Sequence, residues 1–489
     1  MQRRELLMAG LCTLLGSSAI AAAPAGFAAG APELAPLAGW DGQGRQAQGL
    51  SIEGRLPQGL RGVYYRNGPG LMERAGRRYE HWFDGDGLLQ AWHFEDGGVR
   101  HQARFVNTNK FRAEQEAGRF MLPTLGTAIK PELPIRGADS LNTANTSVMQ
   151  LDGRLYALWE GGSAYELDAQ NLQTRGPKAW APDLQGMPFS AHPKLEPDGT
   201  LWNFGTMNGR LVVYQISPRG QLLRHAVLKL PVPAMVHDFV VSQRHLIFLL
   251  PPLSLDMQAV RAGQSMVQAM RWQAGEATRV LVIDKADFQR QRLLEMPATM
   301  MFHFGNAWDE GDEIHLDYVR SPPMTEFNVE AGQLMRGERP AESASTPAVL
   351  HLSLSSGRLR QDSRDEAVEF PVVDPRVVAQ RHRQVFYTHA ADAAARWGAN
   401  ALMRLDLDSG QRERFVFGAD VVVEEHVLVP KPGSQREGEG WLVGMGYDLR
   451  RRLSFASVFD AEALSAGPLA RVWLPYWVPY GFHGKFYAS

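Results

Sequence analysis

From about residue 37 onward, hydrophobic and polar residues alternate in short runs, each closed by Gly, Pro, Asp or Asn. The stretches "GVYYRNGPG", "LQAWHFEDGGVRHQARFV", "GRLYALWEGGSAYELD" and "GTLWNFGTMNGRLVVYQISPRGQLLRHAVLKL" carry β-branched and aromatic residues at period two. That spacing puts one face of a strand against a core. Turn signals such as Asp96-Gly97-Gly98 and Asp198-Gly199 divide the runs. The pattern returns in "ATRVLVIDK", "DEIHLDYV", "PAVLHLSLSSGRLR", "ALMRLDLDSGQRERFVF", "GWLVGMGYD" and "SFASVFDAEALSAGPLARVWLP". Repeated strand units of this kind predict an all-β fold, a propeller or a related closed architecture. No strict repeat period is visible, so the alternation does not yield a blade number. One segment breaks the rhythm: within 254–274, Met257, Val260, Met266, Val267 and Met270 recur at helical intervals. This predicts a Met-rich amphipathic helix packed on the core, with a lid or substrate-entry surface as the alternative.

Composition narrows the partners. Lys and Arg number 51 against 53 Asp and Glu, so the chain has no basic footprint and nucleic acid is not an expected partner. Residues 1–31 combine Arg3 and Arg4, an apolar stretch, and small residues offering cleavage options between about Ala21 and Ala31. They predict an export signal peptide with a twin-arginine character, handled by the twin-arginine export machinery, and a periplasmic or otherwise exported protein. The alternatives are an ordinary secretory signal or an uncleaved anchor. Residues 37–489 are then expected to form a single domain. Cys12 is the only cysteine and lies inside the signal, so the mature chain would carry neither disulfides nor thiolate metal ligands. Any metal must be held by His, Asp, Glu or backbone oxygen.

Fourteen histidines are present, none in an H-E-x-x-H motif, and no nucleophile elbow accompanies them. Four stand in aromatic or apolar surroundings: His192 in "PFSAHPKLEPDG", His237 in "PAMVHDFVVS", His303 in "TMMFHFGNAW" and His483 in "VPYGFHGKFY". A buried neutral imidazole must satisfy both ring nitrogens, and metal coordination is one way to do so. Each taken alone reads equally as a hydrogen-bonded core residue. His93, His315 and His351 occupy comparable strand contexts, so the pattern does not choose the set.

Those four stretches, with "YYRNGPG" (64–70), "HWFDGDGLLQAWHFEDG" (81–97), "NTANTSV" (142–148) and "LWEGG" (158–162), resemble the carotenoid cleavage oxygenase family, in order, from about residue 45 to the end. The resemblance implies a seven-bladed β-propeller, capped on one face by loops and short helices, with one non-haem Fe(II) on its axis. It implies His192, His237, His303 and His483 as the ligands, and Glu160, Glu369 and Glu425 as carboxylates accepting Nδ1–H from three of the imidazoles. Glu424 competes with Glu425 for that role. Thr146 matches a threonine near the open coordination site. "FDGDG", Asp84 to Gly87, is expected to be a structural turn. Trp159, Phe302 and Phe304 are candidates for tunnel walls, with core packing as the alternative that each residue favours when taken singly.

The implied activity is oxidative cleavage by O2 of a conjugated double bond in an apolar carotenoid or apocarotenoid, with transient contact to a membrane surface for uptake. Two alternatives stand beside it. One is cleavage of stilbenes or phenylpropenes by the same iron chemistry; against it, the phenol-binding lysine expected just before "TANT" is replaced by Arg136, with Lys130 further upstream. The other is a metal-free propeller serving as a binding module.

Overall fold

A computed structural model describes residues 27–96, 98–341, 344–391 and 397–489. Residues 1–26, on which most of the expected export signal falls, and Gly97 of the Asp96-Gly97-Gly98 turn lie outside the described residues. Seven sheets of four to six strands form the blades of a β-propeller. The alternating runs become antiparallel strands: "ATRVLVIDK" gives Thr278–Asp284, "GWLVGMGYD" gives Gly440–Asp448, and "ALMRLDLDSGQRERFVF" gives the hairpin pair Ala401–Asp406 and Arg412–Val416.

The ring is closed by exchanging its ends. The last strand, Gly484–Ala488, pairs with Gly62–Arg66 of the first blade, and the early strand Ser51–Gly54 pairs with Ala470–Trp473 of the last. Both blades therefore depend on strands from opposite ends of the chain. Residues 27–40 add to this closure: Leu34 and Leu37 are fully buried, the Tyr480 hydroxyl donates to the Glu33 carbonyl at 2.7 Å, and Trp40 Nε1 donates to the Trp477 carbonyl at 3.3 Å.

Each sheet has one edge strand facing the axis. These are Ser147–Leu151, Lys194–Leu195, Val240–Val241, Met300–Glu310, Val368–Val372, Val421–Pro430 and Gly484–Ala488. Thr146, His192, His237 and His483 stand just before such strands, and His303, Glu369 and Glu425 lie within them, whereas Glu160 follows the neighbouring strand Arg154–Leu158. Three of these strands depart from regular pairing there. Register shifts bracket His303 between Met301 and Phe304, follow Glu369, and enclose Glu424 and Glu425 between Val423 and His426. A bulge re-aims a side chain that strict alternation would send elsewhere.

The Met-rich segment is not one helix. It folds as a two-stranded ribbon, Leu253–Leu255 with Met270–Trp272, enclosing two short helices, Met257–Arg261 and Met266–Ala269. Gly263, at φ +100°, breaks the helical run, and Asp256 and Ser265 each cap a new start. Met257 and Met266 are exposed and only Met270 is buried, so the expected packing of the whole stripe on the core does not occur. Helices Asn109–Ala117 and Met324–Met335 were not read from the pattern, although Met324, Phe327, Ala331 and Leu334 have helical spacing. With the ribbon, Met324–Met335 helps form a cap over the face that carries the histidines, built around Met270, Phe302, Met324 and Phe327.

Candidate metal centre

His192, His237, His303 and His483 come from four different blades and converge: one ring nitrogen of each lies within 4.8 Å of all the others. The Nε2 atoms of His192 and His237 are 2.9 Å apart. Two metal–nitrogen bonds of about 2.1 Å at a right angle would separate their nitrogens by about 3 Å. His303 Nε2 is buried and has no hydrogen-bond partner.

The opposite nitrogens explain why. His303 Nδ1 donates to Glu369 Oε2 at 2.7 Å, His483 Nδ1 donates to Glu425 Oε1 at 3.0 Å, and His237 Nδ1 donates to Glu160 Oε2. Each bond fixes the tautomer and leaves the Nε2 lone pair pointing at the common centre. Lone pairs facing one another at this spacing repel unless a cation lies between them. Three carboxylates around four imidazoles also leave negative charge for a divalent ion to offset. The donor set fits a metal that favours imidazole.

Electrostatics favour neutral rings at His192 and His483 and ionised carboxylates at Glu369 and Glu425. Burial, and then the neighbouring imidazoles, hold His192 well below the usual histidine range. Burial also lowers His483 to about 4, outweighing the charge of Glu425. Glu425 is pushed the other way by burial, but the His483 ring and its hydrogen bond prevail and bring the carboxyl down to about 2. Glu369 is likewise lowered by His303 against the effect of burial. For His237, burial is outweighed by Glu160, so its ring is held above the ordinary value.

The adjacent glutamates divide the work around His483. Glu425 accepts from His483 Nδ1 and from Gly484 N at 2.6 Å. Glu424 turns to the other side of His483, accepting from Gly481 N at 2.6 Å and from Arg66 Nη2 at 2.8 Å. Asn67 N donates to the His483 carbonyl at 3.0 Å, and Phe482 N donates to the Asn67 carbonyl at 2.8 Å. The "RNG" of "YYRNGPG" is thus a cradle for the tail that carries His483, a role that no local pattern in the sequence signals. Gly481 and Gly484 are close-approach positions: a Cβ would come within 2.5 Å of Arg66 Nε and 2.6 Å of the Tyr64 ring. Phe370, at φ +54°, stacks on His303 at a centroid distance of 5.4 Å and donates its N–H to Glu369 at 2.6 Å. A left-handed aromatic residue is costly, and here it locks both Glu369 and the imidazole plane.

A cavity of about 830 Å³ opens onto the centre. Thr146, Trp159 and Phe302 line it, whereas Phe304 does not, because the bulge turns its ring into the core against Tyr318. The Thr146 hydroxyl donates to Asn145 Oδ1 at 3.0 Å, and Asn145 Nδ2 reaches the carbonyls of Phe83 and Gly85 at 2.8 and 2.7 Å. "NTANT" and "FDGDG" therefore brace each other. Asp84 accepts from Thr127 Oγ1 and Gly126 N, and Asp86 pairs with Lys110. Lys130 and Arg136 are exposed and stand outside the cavity wall.

Replacing Glu369 with Gln keeps the shape but lets the group present an amide N–H to His303. Outer-sphere partners of this kind are worth about 10- to 100-fold in metal affinity or activity. Titration of the apo protein with Fe(II) should show a loss in that range for Glu369→Gln, with unchanged thermal stability.

A sequence profile of the retinal pigment epithelial membrane protein family matches residues 42–488. The apocarotenoid-15,15'-oxygenase of Synechocystis sp. is 30% identical over 466 residues, covering 89% of this chain and 92% of that protein. The isoeugenol monooxygenase of Pseudomonas putida is 28% identical, covering 89% of this chain and 93% of its own. A crystal structure of the cobalt-substituted Synechocystis oxygenase superposes with a TM-score of 0.86 at 27% identity, covering 94% of this chain and 99% of that one. With the match running from the early outer strand to the last residue but one, the chain belongs to the retinal pigment epithelial membrane protein family.

Proposed function

We propose that this protein is a non-haem Fe(II) dioxygenase that cleaves a conjugated carbon–carbon double bond of a carotenoid or apocarotenoid to two carbonyl products. The observation that carries the reading is the convergence of four imidazoles, with Nε2 free to coordinate, at the wall of an apolar cavity. His192, His237, His303 and His483 would hold the iron, which when bound supplies the redox chemistry that makes dioxygen reactive toward an alkene.

The protein's own groups bind and orient the substrate. Phe83, Leu125, Met235, Met270, Phe302 and Phe327 give the polyene a dry channel past the histidines. Thr146, its proton committed to Asn145, narrows the approach without offering an acid. Glu160, Glu369 and Glu425 hold the Nδ1 protons of His237, His303 and His483 and keep the three rings turned.

The cavity wall favours a mainly apolar polyene over a phenolic substrate. Among the described residues lining it, the cationic side chain is Arg66, and that is committed to Glu424. The Tyr480 hydroxyl is committed to Glu33. Cleavage of a stilbene or phenylpropene is the second reading, favoured by the likeness to isoeugenol monooxygenase.

Incubating the iron-loaded protein with an apocarotenal, β-carotene, resveratrol and isoeugenol under labelled dioxygen separates the readings. The apocarotenal is expected to turn over fastest; turnover confined to resveratrol or isoeugenol would replace the first reading with the second. Absence of stoichiometric iron after anaerobic loading would leave only the metal-free binding module.

Export through the twin-arginine route is part of the proposal, since it delivers a folded, metal-loaded chain. Residues 27–40 pack into the fold, so cleavage before Phe27 would preserve these contacts. Exposed Met257, Met266 and Val329 on the cap offer an apolar surface for transient membrane contact during uptake. Among the described residues, no helix is long and apolar enough to cross a membrane.

A further inference from the structure

A second pair of histidines faces nitrogen to nitrogen, away from the axis. His315 and His351 are cross-strand partners on the blade whose inner strand, Met300–Glu310, begins with the His303 region. Their Nδ1 atoms are 2.6 Å apart. Carboxylates occupy the other side of each ring. His351 Nε2 donates to Asp362 Oδ2 at 3.0 Å, and His315 Nε2 lies 3.6 Å from Glu310 and 3.7 Å from Glu313. Trp308, near the far end of the inner strand, stacks on His315 with centroids 5.0 Å apart and planes at 24°.

The logic of the axial site recurs with the two nitrogens exchanged. Asp362 holds the His351 proton on Nε2, so His351 Nδ1 presents a lone pair to His315 Nδ1; Glu310 and Glu313, at ion-pair distance, favour the same tautomer at His315, and in that form two lone pairs face each other across a short gap that a cation would bridge. Either a proton or a metal ion can fill that gap. Burial, and then the positive charge His351 would carry, holds His315 below the usual histidine range, so a protonated pair is disfavoured at neutral pH. Glu310, Glu313 and Asp362 supply more negative charge than Arg360, paired with Asp362, and Arg381, beside Glu310, remove.

We propose that His315 and His351 form a second metal site, binding a late first-row divalent cation through both Nδ1 atoms. Imidazole pairs favour Cu(II) above Zn(II) and Ni(II) in the usual order of divalent affinities. A modest side-chain rotation opens the pair to the roughly 3 Å that two bonds of about 2.1 Å at a right angle require. Water would complete the coordination, since each neighbouring carboxylate faces the far nitrogen of its ring. Such a site lies outside the cavity and does not depend on which substrate is cleaved; only the count beyond one iron rests on the proposed iron centre.

The test uses the iron-loaded full chain titrated with Cu(II) or Zn(II) alone, following bound metal by elemental analysis and indole fluorescence. One equivalent beyond iron is expected, with Cu(II) quenching a component of the emission that Trp308→Phe removes. His315→Ala and His351→Ala should each weaken this equivalent by more than about tenfold while iron content stays at one per chain. Asp362→Asn, an exposed change that leaves the fold intact, should weaken it less by releasing the His351 tautomer. A second equivalent that survives His315→Ala and His351→Ala would overturn the assignment. So would the absence of any second equivalent, which would leave the gap to a shared proton.

Discussion

Ending the chain at Tyr480 is expected to abolish metal binding and activity together, although only nine residues are lost. Two effects combine. The deletion removes the His483 imidazole, and it strips Gly62–Arg66 of its antiparallel partner Gly484–Ala488, which exposes an edge at the ring's closure. It also takes the His483 Nδ1 and Gly484 N donors from the buried Glu425 carboxylate and the Gly481 N–H from Glu424, which keeps Arg66. His483→Ala separates these effects, because it removes one ligand and keeps the strand. Fe(II) affinity should fall by more than about 100-fold in that variant, beyond the loss expected for an outer-sphere partner. Its melting temperature in the apo state should change little, while the truncated chain melts markedly earlier. Iron retained at one per chain after truncation would show that the tail lies outside the centre.

The second large effect lies in a residue that touches no metal ligand directly. Arg66→Met removes the cation facing Glu424; the two side chains are only 0% and 8% exposed. Breaking a buried pair by removing one partner costs about 3–5 kcal/mol, because the remaining charge is left without compensation. Glu424 then has only the Gly481 N–H to satisfy it, and the turn before His483 loosens. The double variant Arg66→Met/Glu424→Leu should recover part of the loss, since apolar replacement of both partners is often neutral. Equal losses in the single and double variants, measured as melting temperature and iron content, would argue against the staple. Glu424→Gln alone should lower Fe(II) affinity less than Glu425→Gln, which acts on the imidazole itself.

The metal centre was legible in unequal parts. His192, His237, His303 and His483 stood out as imidazoles in apolar settings, but His315 and His351 stood in similar ones. Only the resemblance across many motifs separated the two groups. The structure shows why local pattern could not: both groups meet nitrogen to nitrogen beside carboxylates, and they differ in which nitrogen is free and how many rings converge. Glu424 and Glu425 differ in sequence by one position and in structure by a bulge, which sends one toward Arg66 and the other toward His483. Phe304 takes the core alternative and Phe302 the wall, a division that strict alternation does not show because it gives no sign of the register shifts on either side of Phe304.

What the sequence determined by itself was the currency of the fold: period-two runs and turn residues that can only be satisfied by antiparallel strands, and a nearly cysteine-free chain that leaves nitrogen and oxygen as metal donors. These depend on neighbours within a few positions, so they can be read along the chain. The closure of the ring by its two ends, the split of the Met-rich segment, the Arg66 and Asn67 cradle and the sorting of two adjacent glutamates were decided by tertiary structure alone. Each joins residues as much as hundreds of positions apart, or turns on a bulge. Such contacts are set by which strand edges meet around the axis and which buried polar groups must then be satisfied.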